Sequence, residues 1–440
     1  MHGWFPGRQR LVAADALCEF RVYTMGNSDY RKALNRSRGA GAEPNPTRIE
    51  ETSHMPIQNF APAWMTEEHQ MVFDSAKRFM IEQWQPKDEA WRAQGMMDRQ
   101  AWEDAGANGF LCASMPEQYG GGGGDFGHEA ALVLAQGEAG IGGFGGSLHS
   151  GIVAPYILHY GTEEQKKRWL PKLATGELIS AIAMTEPGTG SDLQGVRTLA
   201  LKSADGESYT INGSKTFITN GQLANLIIVV CKTDKDKGAQ GISLFVVETD
   251  EAPGFRRGRN LDKIGMEAQD TSELFFDDVV VSKHNLIGEQ EGMGFFQLMQ
   301  ELPQERMLVA LAGIAAMEYA MKVTLEYTKE RKAFGKPIFS FQNTRFKLAE
   351  CQALLLASRA LVDAAMVAHL KGELGVDRAA LIKYWVTDNQ CKLIDECLQL
   401  FGGYGYMKEY PIARLWADSR VQRIYGGTNE IMKELASRFL

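Results

Sequence analysis

The chain has 440 residues, 44% hydrophobic and 23% charged; that is long for one core, suits two or three domains, and excludes a disordered or fibrous protein. A net charge of −8 lacks the basic footprint that a nucleic-acid partner needs, and no unbroken apolar run reaches the ~18 residues of a membrane span. The six cysteines (Cys18, Cys112, Cys231, Cys351, Cys391 and Cys397) form no C-x-x-C pair and the eight histidines no H-x-x-x-H spacing, which points to reduced thiols and to no metal.

Residues 1–54 hold eight Lys/Arg and six Asp/Glu, with a Gly/Pro/Asn stretch at 39–46. They lack the apolar core of a secretory signal and are too acidic for an ordinary organellar transit peptide. They read as a disordered extension or an upstream start, with the working protein beginning near Met55; a transit peptide is the competing reading.

From 55 to 178 the period is helical, with Val72, Ala76 and Phe79 in one stretch and Leu132, Leu134 and Ala139 in another. The five glycines at 120–124 lack the Gly-Lys-Ser/Thr of a phosphate loop and are expected to form a flexible connection. Gly140, Gly142 and Gly145 satisfy G-x-G-x-x-G, but a helical stretch precedes them and no acid follows at the required distance, so a nicotinamide site is rejected.

Residues 179–288 change character. Runs at 226–230 and 242–247 are β-branched and aromatic, 209–219 alternates, and Asn212-Gly213 and Asn220-Gly221 are turn signals. Strands without intervening helices imply an antiparallel sheet or small barrel. From 289 to 440 the helical period returns, through Leu308, Leu311 and Met317, then Ile382, Val386, Leu393, Cys397 and Leu400 on one face; this is the pattern of a bundle.

Four segments go beyond composition. Ala183-Met184-Thr185-Glu186-Pro187-Gly188-Thr189-Gly190-Ser191-Asp192 ends a strand in a Pro/Gly turn that lets a ligand approach the backbone. The others are Phe217-Ile218-Thr219-Asn220-Gly221, the cationic Arg331-Lys332-Ala333-Phe334-Gly335-Lys336 at a helix end, and Ile424-Tyr425-Gly426-Gly427-Thr428-Asn429-Glu430-Ile431. Any one of these could be a plain connection or a complement to a helix dipole.

Together, in this order, they resemble the acyl-CoA dehydrogenase family from about Thr66 to the C-terminus. The long-chain branch is the best match, through Glu301-Leu302-Pro303-Gln304-Glu305-Arg306 and the fourth segment. The resemblance implies an N-terminal helical domain, a middle antiparallel β domain and a C-terminal four-helix bundle. It also implies FAD as cofactor, an acyl-CoA substrate, electron-transfer flavoprotein as acceptor and a homotetramer. The setting would be the cytoplasm of a bacterium or the mitochondrial matrix of a eukaryote.

Carried over by residue, Ile182, Met184, Thr185 and Ser191 would line one side of the flavin, and Phe217 and Thr219 the other. Phe217 stands where the family usually has Trp. Arg331, Phe334, Gln342, Gln399, Gly402 and Gly403 would reach FAD from an adjacent subunit, and Thr428 and Glu430 from its own. Substrate contacts would come from Ser191, Pro303, Gln304, Arg306, Gly426 and Gly427.

The commonest family pattern has a catalytic Glu after the tyrosine of the fourth segment, where this chain has Gly426. Glycine cannot accept a proton, so the base must come from elsewhere or be lost. The resemblance implies Glu305, on a bundle helix, with Glu301 one turn earlier as its rival. A weakly acidic α-proton requires a carboxylate on one face of the thioester, and the growing enolate needs a donor, which the backbone N–H of Gly426 would supply. An oxygen-using flavoenzyme on the same fold, or a flavin-binding homologue without catalysis, are the alternatives. Chain length and branching of the acyl group stay open.

Overall fold

The computed structural model describes residues 61–440, so the expectation for the N-terminal extension lies outside the described residues. Helix α1 (Glu67–Phe79) starts at Thr66 and α4 (Phe126–Glu138) at Asp125; each side chain caps its helix, and the backbone N–H of each cap donates to the Nδ1 of a histidine three residues on, His69 or His128. The His69 Nε2 lies 2.9 Å from Asp125 Oδ1, a hydrogen bond that ties the two helix starts together. His69, Asp125 and His128 thus gather within 4.8 Å, a grouping the sequence spacing hid, but the caps already engage them.

Between α3 (Arg99–Ala107), which follows the short α2 (Asp88–Gln94), and α4 lies the five-glycine run. The expectation of a flexible connection is corrected here. Gly122, Gly123 and Gly124 donate to the carbonyls of Cys112, Met115 and Ala113 at 3.2, 2.7 and 3.0 Å. A Cβ at Gly121 would stand 2.4 Å from Met115, so the glycines allow a close-packed fold-back. Residues His149–Val153 form a π turn leading into α5 (Ala154–Tyr160), followed by α6 (Glu163–Ala174).

The sheet has seven strands: β1 (Ser180–Ala183), β2 (Leu199–Lys202), β3 (Ser208–Thr219), β4 (Leu226–Lys232), β5 (Ile242–Glu248), β6 (Phe255–Asn260) and β7 (Thr271–Ser282), in the order β1-β4-β2-β3-β7-β6 with β5 on β4. Its pairings are antiparallel as expected, except that β1 runs parallel to β4, and β2 meets β4 in parallel at one position. Asn212-Gly213, read as a turn, lies inside β3. Pairing with β7 continues past it through a bulge, and Gly213 takes φ 155° with no room for a side chain, since a Cβ would lie 2.4 Å from Thr198 Oγ1.

The C-terminal part has three long helices, α7 (Gly294–Glu330), α8 (Gln342–Leu370) and α9 (Val376–Phe401), with short α10 (Pro411–Ser419) and α11 (Asn429–Ser437) against them. Helix α7 packs on α9, α8 and α4, so one apolar core joins the two helical parts. Over an 18-residue window α7 and α8 are apolar enough to cross a bilayer, which a search for unbroken runs overlooks. In α7 more than half of that window is buried inside the protein, and the helix carries Glu301, Glu305 and Arg306 inward.

Candidate active site

Strand β1 delivers the first segment to the edge of the site. Beyond it Glu186 and Thr189 pair through their backbones, closing the turn at Pro187-Gly188. Buried Lys215, on β3, holds this turn from beneath: its ammonium donates to Met184 O at 3.0 Å, Glu186 Oε1 at 2.9 Å and Val230 O at 2.7 Å. Glu186 also accepts from the Thr198 hydroxyl and from the backbone of Arg197 and Thr198. Burial opposes its charge, but Lys215 and these donors outweigh burial and hold its carboxyl below the ordinary value.

The second segment is tied to the first by Thr216 N–H donating to Thr185 O at 2.9 Å. Phe217 takes φ 60° and is 67% exposed, while its neighbours Thr216 and Ile218 are buried. The bond from Thr216 sets Thr185, which follows Ile182 and Met184, beside the stretch that carries Phe217 and Thr219, and Ser191 is exposed. Around the Cβ positions of Gly188 and Gly190 no atom of the described residues lies within 4 Å. An aromatic ring held outward beside an open, glycine-walled turn suits a planar cofactor such as FAD.

The third segment ends α7 in a two-strand hairpin, Lys332–Ala333 with Lys336–Pro337, turning at Phe334 and Gly335, both with positive φ. Arg331, Gln399, Gly402 and Gly403 line an open groove of about 600 Å³ with Tyr327 and Tyr404. Gly402 and Gly403 leave open space over the backbone, as a phosphate-bearing ligand needs. Phe334, 94% exposed at the hairpin tip, and Gln342, exposed at the start of α8, stand outside the groove. None of residues 182–191 lines it either, so one chain presents two separate surfaces.

On α7 the side chain of Glu305 is only 6% exposed. Tyr156, wholly buried on α5, donates to its Oε1 at 2.8 Å. Burial pushes the Glu305 carboxyl up to about 7; the Tyr156 hydrogen bond works against this, Glu301 adds to it, and Arg306 opposes it. The rival Glu301 is itself engaged, facing His159 Nδ1 at 2.8 Å. Pro303 lies within the continuous helix, where its missing N–H leaves the carbonyl of Met299 without its usual partner. Gln304 commits its amide to Gly151 O, at 2.8 Å in the π turn. Arg306 is buried, and its Nε has no hydrogen-bond partner among the described residues.

Gly426 and Gly427 both take left-handed φ, 64° and 86°. A Cβ on Gly426 would meet Val309 at 3.5 Å, and Val309 is one turn beyond Glu305, so the glycine turn and the carboxylate border the same stretch of α7. Lys383, fully buried on α9, donates to Gly427 O at 2.7 Å and to Asn429 Oδ1 at 3.0 Å. Burial, with Arg306 nearby, pulls its ammonium down to about 8. Thr428 caps α11, its hydroxyl accepting from Ile431 N–H at 3.3 Å, while Glu430 faces out from the first turn. Ile182 and Met184 pack on the same apolar cluster as Tyr156 and Leu298, which links the sheet end to α5 and α7.

Sequence reasoning missed Tyr156, Lys215 and Lys383. Two signals were present: Lys383 recurs with Ala379, Ala380, Val386 and Thr387 on a buried helix face, and Lys215 falls on the inward phase of β3 with Tyr209 and Ile211.

Comparison with known proteins adds the family. The models of the acyl-CoA dehydrogenase N-terminal, middle and C-terminal domains match residues 66–177, 181–279 and 292–440. The mitochondrial long-chain specific acyl-CoA dehydrogenase of Mus musculus is 48% identical over 373 residues, 84% of this chain and 86% of its own. The crystal structure of an acyl-CoA dehydrogenase from Geobacillus kaustophilus superposes with a TM-score of 0.83 at 45% identity, covering 86% of this chain and 99% of that one. A glutaryl-CoA dehydrogenase from Mycobacterium smegmatis in complex with FADH2 superposes at 0.79 with 26% identity, covering 86% and 95%. With all three parts matched in order on one chain, this protein belongs to the acyl-CoA dehydrogenases, a family of FAD-dependent oxidoreductases.

Proposed function

We propose that the enzyme dehydrogenates a medium- or long-chain acyl-CoA, straight or methyl-branched, to the trans-2-enoyl-CoA, with Glu305 as the base. The observation that carries this reading is the Glu305 carboxylate, buried beside the Gly426 turn and raised to about 7, so that near neutral pH it is both available and strongly basic. Glu305 takes the α-proton. The Gly426 N–H receives the charge that grows on the thioester oxygen, and Lys383 steadies that turn through Gly427. Bound FAD supplies the hydride acceptor at the β-carbon. Ile182, Met184, Thr185 and Ser191 would hold it from one side and Phe217 and Thr219 from the other, with Thr428 and Glu430 from the same subunit.

Arg331, Phe334, Gln342, Gln399, Gly402 and Gly403 would hold the FAD of a neighbouring subunit in a homotetramer. Two facts favour such partners: Phe334 is almost fully exposed, and only 33% of the apolar window of α8 is buried within one chain. Ser191, Pro303, Gln304, Arg306 and Gly427 belong to the substrate side in this reading. Glycine at 426 leaves space against Val309 that longer or branched chains can use. Electron-transfer flavoprotein is taken as the acceptor on family likeness, and the cytoplasm or mitochondrial matrix as the setting.

Glu305→Gln tests the base. The variant should keep its FAD and fold while bleaching of the flavin by dodecanoyl-CoA slows by about 10³-fold or more; normal bleaching removes Glu305 from this role. A panel of straight and branched acyl-CoAs, ranked by kcat/KM, then assigns the substrate.

A further inference from the structure

Helix α5 approaches α7 closely because of two local features. A Cβ at Gly151, in the π turn, would lie 2.7 Å from Leu308 Cδ1, so the glycine lets the turn rest on α7 without displacing that side chain. The extra residue of a π turn also rotates the next helical residues by about 100° relative to an unbroken α-helix. Gln304 pins the turn by donating to Gly151 O. After it, Tyr156 points at α7 with its hydroxyl 2.8 Å from Glu305 Oε1, both side chains being buried.

We propose that Tyr156 is the positioning residue of the base: its hydroxyl fixes the rotamer of the Glu305 carboxylate and stabilises the ionised form by a charge-assisted hydrogen bond. The inference rests on Glu305 being the base. Two points support it. First, a buried carboxylate with no donor would take up a proton and turn freely, and Tyr156 is the only side-chain donor to Glu305 among the described residues. Second, the other groups around Glu305 are differently engaged. On α7, Glu301 disfavours its charge while Arg306 favours it. Glu301 faces His159 at 2.8 Å and hydrogen-bonds Tyr160, both on α5, and His369 on α8 feels Glu301. Lys383 on α9 acts on Arg306 and donates to the glycine turn. The burial of Glu305 raises its proton affinity and Tyr156 limits the rise. Without this donor the carboxyl would protonate at higher pH, so the base would be lost from a wider part of the acid range.

The test uses the full-length, FAD-loaded enzyme and dodecanoyl-CoA. The rate of flavin reduction should rise with pH through a limb near 7 in the wild type. In Tyr156→Phe the limb should move up by about one to two pH units, the equivalent of a hydrogen bond to a charged group. A second readout needs no turnover: the infrared carboxyl band of Glu305, assigned by difference with Glu305→Gln, should titrate at a midpoint raised by the same amount. A loss that is only structural would lower the rate at every pH and leave both midpoints in place; unmoved midpoints overturn the proposal. If Tyr156→Phe loses its flavin, Tyr156→3-fluorotyrosine keeps the ring and is a stronger donor. Both midpoints should then fall, and unmoved values overturn the proposal again. Normal bleaching in Glu305→Gln overturns the base and this role together; a dead Glu305→Gln beside an unshifted Tyr156→Phe removes Tyr156 alone.

Discussion

Among the described residues two lysines are buried, Lys215 in the sheet and Lys383 in the bundle, and each grips the carbonyl of a turn at the site. Lys215 has a carboxylate partner, Glu186, at 2.9 Å. Among the described residues Lys383 has only Gly427 O and the amide of Asn429, with no carboxylate at ion-pair distance. Both ammonium groups are pulled down by burial, and at Lys383 the value reaches about 8. The difference shows two ways to hold a loop from inside. A compensated pair is rigid but leaves a stranded charge if one member goes. A lone lysine can release its proton, so its loss is milder and its environment responds to alkali.

The contrast between the two lysines can be tested in stages. The largest effect is expected from Lys215→Met, which leaves Glu186 buried and unpaired: unfolding in denaturant should show a loss of about 3–5 kcal/mol. Adding Glu186→Gln should restore a large part of it. The pair's contribution is complete above pH 4.5 and disappears as pH falls below that value through the depressed one, so acid should narrow the gap between wild type and Lys215→Met.

Lys383→Met should lose only about 1–3 kcal/mol and retain FAD, while flavin reduction slows about 10-fold as the glycine turn loosens. Equal losses at the two lysines would abolish the distinction. The pH response has the opposite side. Between about 8 and 10.5 the unfolded chain binds a proton that folded Lys383 does not, so stability rises with pH across that window. Wild type should gain up to about 3 kcal/mol relative to Lys383→Met there, as measured by denaturation at several alkaline pH values.

The smallest effects come from the turns themselves. Gly426→Ala puts a Cβ on a residue at φ 64° and should cost about 1–2 kcal/mol, whereas Gly188→Ala, in open space, should stay within about 0.5 kcal/mol. Thermal unfolding of the pair of variants separates the strained turn from the open one.

Much of the fold was legible because hydrophobic pattern is a local property: the strand at 209–219 comes from alternation, those at 226–230 and 242–247 from β-branched and aromatic runs, and the bundle face from Ile382 to Leu400 from the helical period. What failed was punctuation. Asn212-Gly213 has the chemistry of a turn, yet β7 offers partners on both sides of it, and continued pairing costs less than breaking the strand. The glycines at 120–124 looked loose because composition does not reveal that their N–H groups find carbonyls in the preceding residues.

By itself the sequence determined the helix–sheet–helix order, the four segments and, with Gly426 after Tyr425, that no carboxylate stands at that position. Only the tertiary structure decided what surrounds Glu305. Tyr156 and Glu305 are 149 positions apart, and a π turn sets the phase that joins them. Burial of a carboxylate, the direction of a phenol and the grip of Lys383 on Gly427 depend on which elements pack together, and packing is a property of the whole chain that no local pattern encodes.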